Sequence, residues 1–460
     1  MISRLRFTNF KAWRDSKSMR LAPLTVLFGT NSAGKTSIPQ LLLLLKQTAE
    51  SPDRQRALHL GDSRASVDAG TYDDAVHAHD TAKPLDVELE WTLDETFVVS
   101  DPATGSEYGG NSIRFECSFY GDKRRQPAIG SLQYTLLRDG QGVLGVGMKR
   151  RGFANAFDLA STGYSLVRHP GRARPLPPPL RFYGFPDETT AYYQNTAFLS
   201  DLVLELERLL RGVYSVGPLR EFPRRLYLWS GEVPDHVGAK GDRAVEAILA
   251  SGSRAFNWFP KQKTKPLAAV VAERLRSMGL IRDFRVKALG PHRNEYEVLA
   301  KTSPRMPEVK LTDVGFGVSQ VLPVIVECFY VPPRSVVIFE QPEIHLHPKV
   351  QAELADLFID AIHAREDGVE RQCQFIVESH SEYFLRRLQR RIAEETLAAE
   401  DAALYFVETG RGTARIKELD VDAYGNIRNW PKDFFGDEMD DLVARTEAQA
   451  RRAARETGGV

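Results

Sequence analysis

The chain has 460 residues, 42% of them hydrophobic and 27% charged, which is ordinary for a globular protein with a substantial core and room for two or three domains at roughly 150 residues each. Its 61 basic and 61 acidic residues cancel, so bulk charge gives no sign of constitutive nucleic-acid or membrane binding. The three cysteines, Cys117, Cys328 and Cys373, are far apart and form no CxxC pair, which fits a reducing compartment without a disulfide framework or zinc site.

The opening segment Ile2–Phe7 alternates as a strand should, with no long apolar signal region before or within it. No apolar run is long enough to span a membrane, so a soluble, cytoplasmic protein is expected. Leu24–Phe28 reads as a short buried strand. A glycine-bearing loop follows it, then a helix from about Lys35 to Thr48. Alternating segments at 85–93, 113–120 and 132–137 predict antiparallel strands separated by Gly/Asp turns, and the prolines at 175–179 predict a stiff connector. Helical spacing returns at 197–213, 243–251 and 266–278, with strands at 284–289 and 295–301. The last third predicts an apolar helix at 320–330, a buried strand at 335–340, a helix at 350–364, a strand at 374–377 and a basic helix at 381–393. There is no internal repeat and no sustained heptad run.

Gly29, Thr30, Asn31, Ser32, Ala33, Gly34, Lys35 and Thr36 match GxxxxGK[ST] in full, between a predicted strand and a predicted helix, and with Ser37 they are the expected nucleotide-binding residues of the loop. Glycines let such a loop wrap around phosphates, while successive N–H groups and the helix N-terminus point at negative charge. Lys35 is expected to reach the β- and γ-phosphates and Thr36 to ligate Mg²⁺. The strand at 336–340 ends in Glu340, where a phosphate-binding site needs a second metal-site acid.

Three segments, GTNSAGKTS, EQPEIHLHP and ESHSEYF, together resemble ABC-type ATPases related to OLD, RecF and SMC proteins, as does the opening RFTNFKAW. The likeness covers roughly residues 1–50 and 310–390. YSVGPLREFPRR at 214–225 and GNIRNWPKDFF at 425–435 resemble a prokaryotic subgroup with an uncharacterised C-terminal domain, often associated with anti-phage defence loci. The resemblance implies an α/β ATPase head: a mixed core sheet, an antiparallel β lobe and a helical insertion. The expected domains are residues 1–195 and 290–410 as the two ATPase lobes, 196–289 as the insertion and 411–460 as a C-terminal extension. It implies that His380 approaches the γ-phosphate. It also implies that Gly315, Gly317 and Ser319, at the start of a helix, cap the ATP of an opposite subunit, giving a homodimer that sandwiches ATP and that could assemble further.

One residue departs from the pattern. Most ABC ATPases carry a water-activating glutamate after the metal-site acid, where this chain has Gln341. An amide orients water but cannot take its proton, and general-base help is typically worth about 10²–10⁴ in rate. Either Glu343 supplies the base from two positions along, or hydrolysis is slow and the protein is an ATP-held clamp; the second account is favoured. Basic runs at 123–125, 149–151, 168–174, 220–225 and 386–391 are most simply solvated faces, although they could form a DNA-contacting surface. The acids Asp437, Glu438, Asp440 and Asp441 read as a helix start rather than a metal site. Only residues 381–460 follow His380, too few for the nuclease domain of OLD-type enzymes, so no intrinsic nuclease is expected. The leading expectation is an ATPase switch controlling a separate effector, a nuclease or toxin, in antiviral defence. The alternatives are a DNA-repair or chromosome-maintenance clamp and an inactive ATP-binding scaffold.

Overall fold

The structure is a computed structural model. It describes residues 1–62, 65–152, 155–171, 175–431, 434, 445–449 and 452. The acidic segment at 437–441 and part of the basic run at 168–174 lie outside the described residues.

A six-stranded sheet positions everything functional. Its strand order is Val213–Val216, Val336–Glu340, Gln374–Glu378, Leu24–Gly29, Ala402–Gly410 and Thr413–Glu418. The first five strands are parallel and the last is an antiparallel edge, so the sheet is mixed. The central strands read as unbroken apolar runs because both faces are covered. Val336, Ile338 and Ile376 pack into one core with the helices Ser37–Glu50 and Phe198–Arg211. Val337, Phe339, Phe375 and Val377 point the other way, into a second core with the helices Phe316–Tyr330, Pro348–Ile362 and Glu382–Ala393.

The first core continues into an eight-stranded antiparallel sheet. It runs from Trp13–Asp15 through Ile2–Phe10, Leu85–Ser100, Glu107–Gly121, Pro127–Arg138 and Gln141–Arg150 to Phe157–Thr162, with Met19–Arg20 also paired to Ile2–Phe10. The α/β class, the mixed core sheet and the β lobe are therefore as expected.

The expected boundaries differ from the sheet's own in three respects. The region 196–289 supplies Val213–Val216 to the core sheet, so it is no separate insertion. It carries Ala255–Asn257 as well as the expected strand at Asp283–Ala288, in two small four-stranded sheets. The region 411–460 supplies the edge strand Thr413–Glu418. Val213–Val216 is too short to signal itself and is completed by pairing with the distant Val336–Glu340, whereas Thr413–Glu418 folds back as a hairpin onto Ala402–Gly410. Cys117, Cys328 and Cys373 are all buried. Among the described residues, no helix is long and apolar enough to cross a membrane.

Candidate nucleotide site

The loop between Leu24–Gly29 and Ser37–Glu50 takes backbone conformations that side chains resist. Gly29 has φ 141° and Gly34 has φ 97°. A Cβ on Gly29 would sit 2.0 Å from the Val407 carbonyl of the neighbouring strand, and one on Gly34 2.9 Å from Ala12 Cβ. Only glycine meets both demands. Ser32 completes the bend at φ 59°. From the first hairpin, the Trp13 indole N–H donates to the Gly34 carbonyl at 2.9 Å, fixing the loop's far corner. Thr36 caps the helix without a side-chain bond to its backbone, so its hydroxyl is free to act elsewhere.

That hydroxyl donates to Glu378 Oε2 at 2.9 Å. Glu378 ends the strand beside Val336–Glu340 and is the register partner of Glu340. Two carboxylates thus stand side by side at the ends of adjacent parallel strands, roughly 4.8 Å apart in backbone spacing. Burial and the Glu378 charge push the Glu340 carboxyl up to about 7. Burial also raises Glu378, opposed by Thr36 and Lys35. Paired buried carboxylates beside a hydroxyl form an all-oxygen donor set whose repulsion a divalent cation relieves, and this suits Mg²⁺. Among the described residues no cluster of three or more His, Cys, Asp or Glu could hold a metal. Mg²⁺ ordinarily completes its shell with phosphate oxygens and water rather than with an all-protein cage.

Lys35 is only 3% exposed, and its ammonium donates to the carbonyls of Gly29 at 3.0 Å and Thr30 at 2.7 Å. Burial lowers its pKa against the pull of Glu378 and Glu343. His380 follows the Gln374–Glu378 strand, and its ring bonds the Gly29 backbone. Burial, then the Lys35 charge, lowers the His380 pKa and favours the neutral ring. The His380 backbone N–H donates to Glu343 Oε1 at 2.6 Å. Burial raises the Glu343 carboxyl. Gln341 has φ 44°, a left-handed conformation uncommon outside glycine, and its N–H donates to the Glu378 carbonyl at 2.9 Å.

The fold therefore brings the loop, Glu340, Glu343 and His380 together. It places Gly315, Gly317 and Ser319 elsewhere, at the start of Phe316–Tyr330. Gly315 is the N-cap and a Cβ there would meet open space, whereas the Ser319 hydroxyl is turned into its own helix, onto the Phe316 carbonyl at 2.7 Å. Two residues escaped the sequence reading. Glu378 carried a usable signal, an apolar strand ending in a carboxylate, the same pattern that singles out Glu340. Arg220 lay in the noted GPLR segment but had no assigned role. It is buried, its Nη2 donates to the Glu340 carbonyl at 3.3 Å, and burial lowers its pKa to about 10 against the pull of Glu343.

Two of the basic runs, 220–225 and 386–391, are substantially paired within the chain. Arg386 pairs with Glu382, Arg390 with Glu394, and Arg387 and Arg391 with Asp356. Arg224 pairs with Glu221 and Arg225 with Asp313.

Residues 302–386 match a family model described as an AAA domain, putative AbiEii toxin, Type IV TA system. Residues 397–444 match a family of proteins of unknown function, DUF3696. No curated protein matches the chain in sequence. Among solved structures, the chain is similar to an SMC head bound to the C-terminal winged-helix domain of ScpA, with 11% identity, 92% of this chain and 98% of that chain covered, and a TM-score of 0.44. It is also similar to the SMC head domain from Thermotoga maritima, with 11% identity, 91% and 99% covered, and a TM-score of 0.39. The full phosphate-binding motif at 29–36 and the AAA match at 302–386 both support the reading of this chain as a P-loop ATPase.

Proposed function

We propose that the protein binds Mg-ATP, hydrolyses it slowly, and dimerises around it as a switch for a separate effector, a nuclease or toxin, in cytoplasmic antiviral defence. The observation that carries the reading is the convergence of Lys35, Thr36, Glu340, Glu378 and His380 on one loop, with Gln341 where a base is usual. Thr36 and Glu340 would hold Mg²⁺ with Glu378, and the metal would neutralise phosphate charge. Lys35 binds the β- and γ-phosphates in place of the loop carbonyls it now contacts, and neutral His380 donates toward the γ-phosphate. Gln341 orients water without removing its proton, which makes turnover slow.

Dimerisation is supported by a solvent-facing apolar feature beside the helix that starts at Phe316. Phe222 is 70% exposed, Phe316 41%, and their rings lie 5.5 Å apart. The effector role rests on the toxin–antitoxin wording of the matched family description. The DNA-clamp alternative needs free cations, and many arginines in the basic runs already have carboxylate partners. Phosphate release from ATP by wild type, Lys35→Ala and Gln341→Glu tests the reading. Wild type close to the Lys35→Ala background supports it; brisk wild-type turnover abolished by Glu343→Gln overturns the slow-switch account.

A further inference from the structure

Arg220 closes a short segment that leaves the edge strand Val213–Val216. Backbone bonds pin the segment on either side, from Gly217 to the Ala239 carbonyl at 2.8 Å and from Glu221 to the Lys240 carbonyl at 2.9 Å. Between these pins the ordinary solvation pattern is inverted. Leu219 is 76% exposed while Arg220 is 7% exposed. Folding has turned an apolar side chain to water and a guanidinium inward, the costly arrangement for both.

The buried guanidinium is also incompletely bonded. Nη2 donates to the Glu340 carbonyl, but Nε and Nη1 have no hydrogen-bond partner among the described residues. The compensating charge is that of Glu343, whose field reaches both Arg220 and Lys35. Glu343 already commits one oxygen to the His380 N–H. A buried arginine with free donors has given up its hydration without replacement, and an anion is the group that makes good that loss.

The strand order indicates which anion. Arg220 follows the strand outside Val336–Glu340, whereas the phosphate loop follows Leu24–Gly29, three strands across. The inner phosphates of a nucleotide belong to the loop and its helix. A nucleotide seated with those phosphates on the loop would turn its terminal phosphate toward Glu340 and Glu343, where Arg220 lies.

We propose that Arg220 is a nucleotide-binding residue that donates from its free nitrogens to the terminal phosphate of ATP, so that the site distinguishes ATP from ADP. This rests on the ATP-site reading above. Arginine suits the task, being permanently charged and shaped for phosphate oxygens.

The test is calorimetric titration of the full chain with Mg²⁺ and either the non-hydrolysable analogue AMP-PNP or ADP. Wild type is compared with Arg220→Gln, Arg220→Lys and Lys35→Ala. Arg220→Gln should weaken AMP-PNP binding about 10- to 100-fold while leaving ADP affinity unchanged. Arg220→Lys, which keeps the charge without the planar fork, should fall between wild type and Arg220→Gln for AMP-PNP alone. Equal losses for both nucleotides, or no loss for either, would mean that Arg220 only pairs with Glu343, and would overturn the proposal. Should Arg220→Gln not fold, Arg220→Lys decides by the same comparison. If wild type binds neither nucleotide, or Lys35→Ala binds as well as wild type, the ATP-site reading itself fails and the proposal falls with it. A wild type that binds both, with no analogue-specific loss in the variants, removes the proposal alone.

Discussion

The Thr36 hydroxyl donates to the Glu378 carboxylate at 2.9 Å, joining residues 342 positions apart in the chain. This bond ties the helix after the phosphate loop to the end of a different strand, and it adds Glu378 to the proposed Mg²⁺ site. Glu378→Gln should weaken Mg²⁺-dependent nucleotide binding by about 10–100-fold, as loss of a metal-orienting partner does. Titrating ATP binding against Mg²⁺ concentration checks this; unchanged Mg²⁺ dependence would remove Glu378 from the site.

The proposed slow turnover rests on Gln341. Gln341→Glu places a carboxylate where water must lose its proton, and should raise phosphate release by about 10²–10⁴ if the base alone is missing. Steady-state phosphate release on wild type and variant measures it. A variant no faster than wild type would direct attention to Glu343.

Glu340 predicts a pH dependence with a definite sign. Its folded-state pKa, about 7, lies above the ordinary 4.5. The folded protein therefore holds a proton that the unfolded chain has released between those values. Its contribution is most favourable below about 4.5 and is lost as pH rises toward 7, levelling off above. The loss is on the order of 3 kcal/mol. Metal-free melts should show wild type losing stability relative to Glu340→Gln across that window. The same proton competes with the metal, so Mg²⁺ affinity should fall as pH drops below about 7.

Trp13 couples the β lobe to the loop through its bond to the Gly34 carbonyl. The ring is fully buried, so Trp13→Phe leaves that carbonyl without its donor and opens space beside it. A loss of about 1–3 kcal/mol in urea unfolding is expected, with weaker ATP binding. Stability lost without any change in ATP affinity would separate the two lobes functionally.

Phe222 and Phe316 pack with tilted rings at the surface, at the start of the expected ATP-capping helix. Phe222→Asp should block ATP-dependent dimerisation in sedimentation velocity while leaving ATP binding by the monomer intact. A variant that still dimerises with ATP would place the interface elsewhere.

The sequence alone determined the parts whose chemistry is carried by consecutive residues. The phosphate loop, the apolar strand ending at Glu340 and the alternating strands of the β lobe are legible because hydrogen-bonding and burial patterns repeat over a few positions. The strand Gln141–Arg150 was less legible, since its glycines at 142, 145 and 147 lower strand propensity. Val213–Val216 was hidden at the end of an amphipathic helix for want of length. Only the tertiary structure decided that Glu378 stands beside Glu340 and that Arg220 is turned inward against it. The first follows from the register of two parallel strands and the second from an edge-strand connection pinned by Ala239 and Lys240. Both are long-range pairings, and local sequence carries no record of which distant partner will complete them.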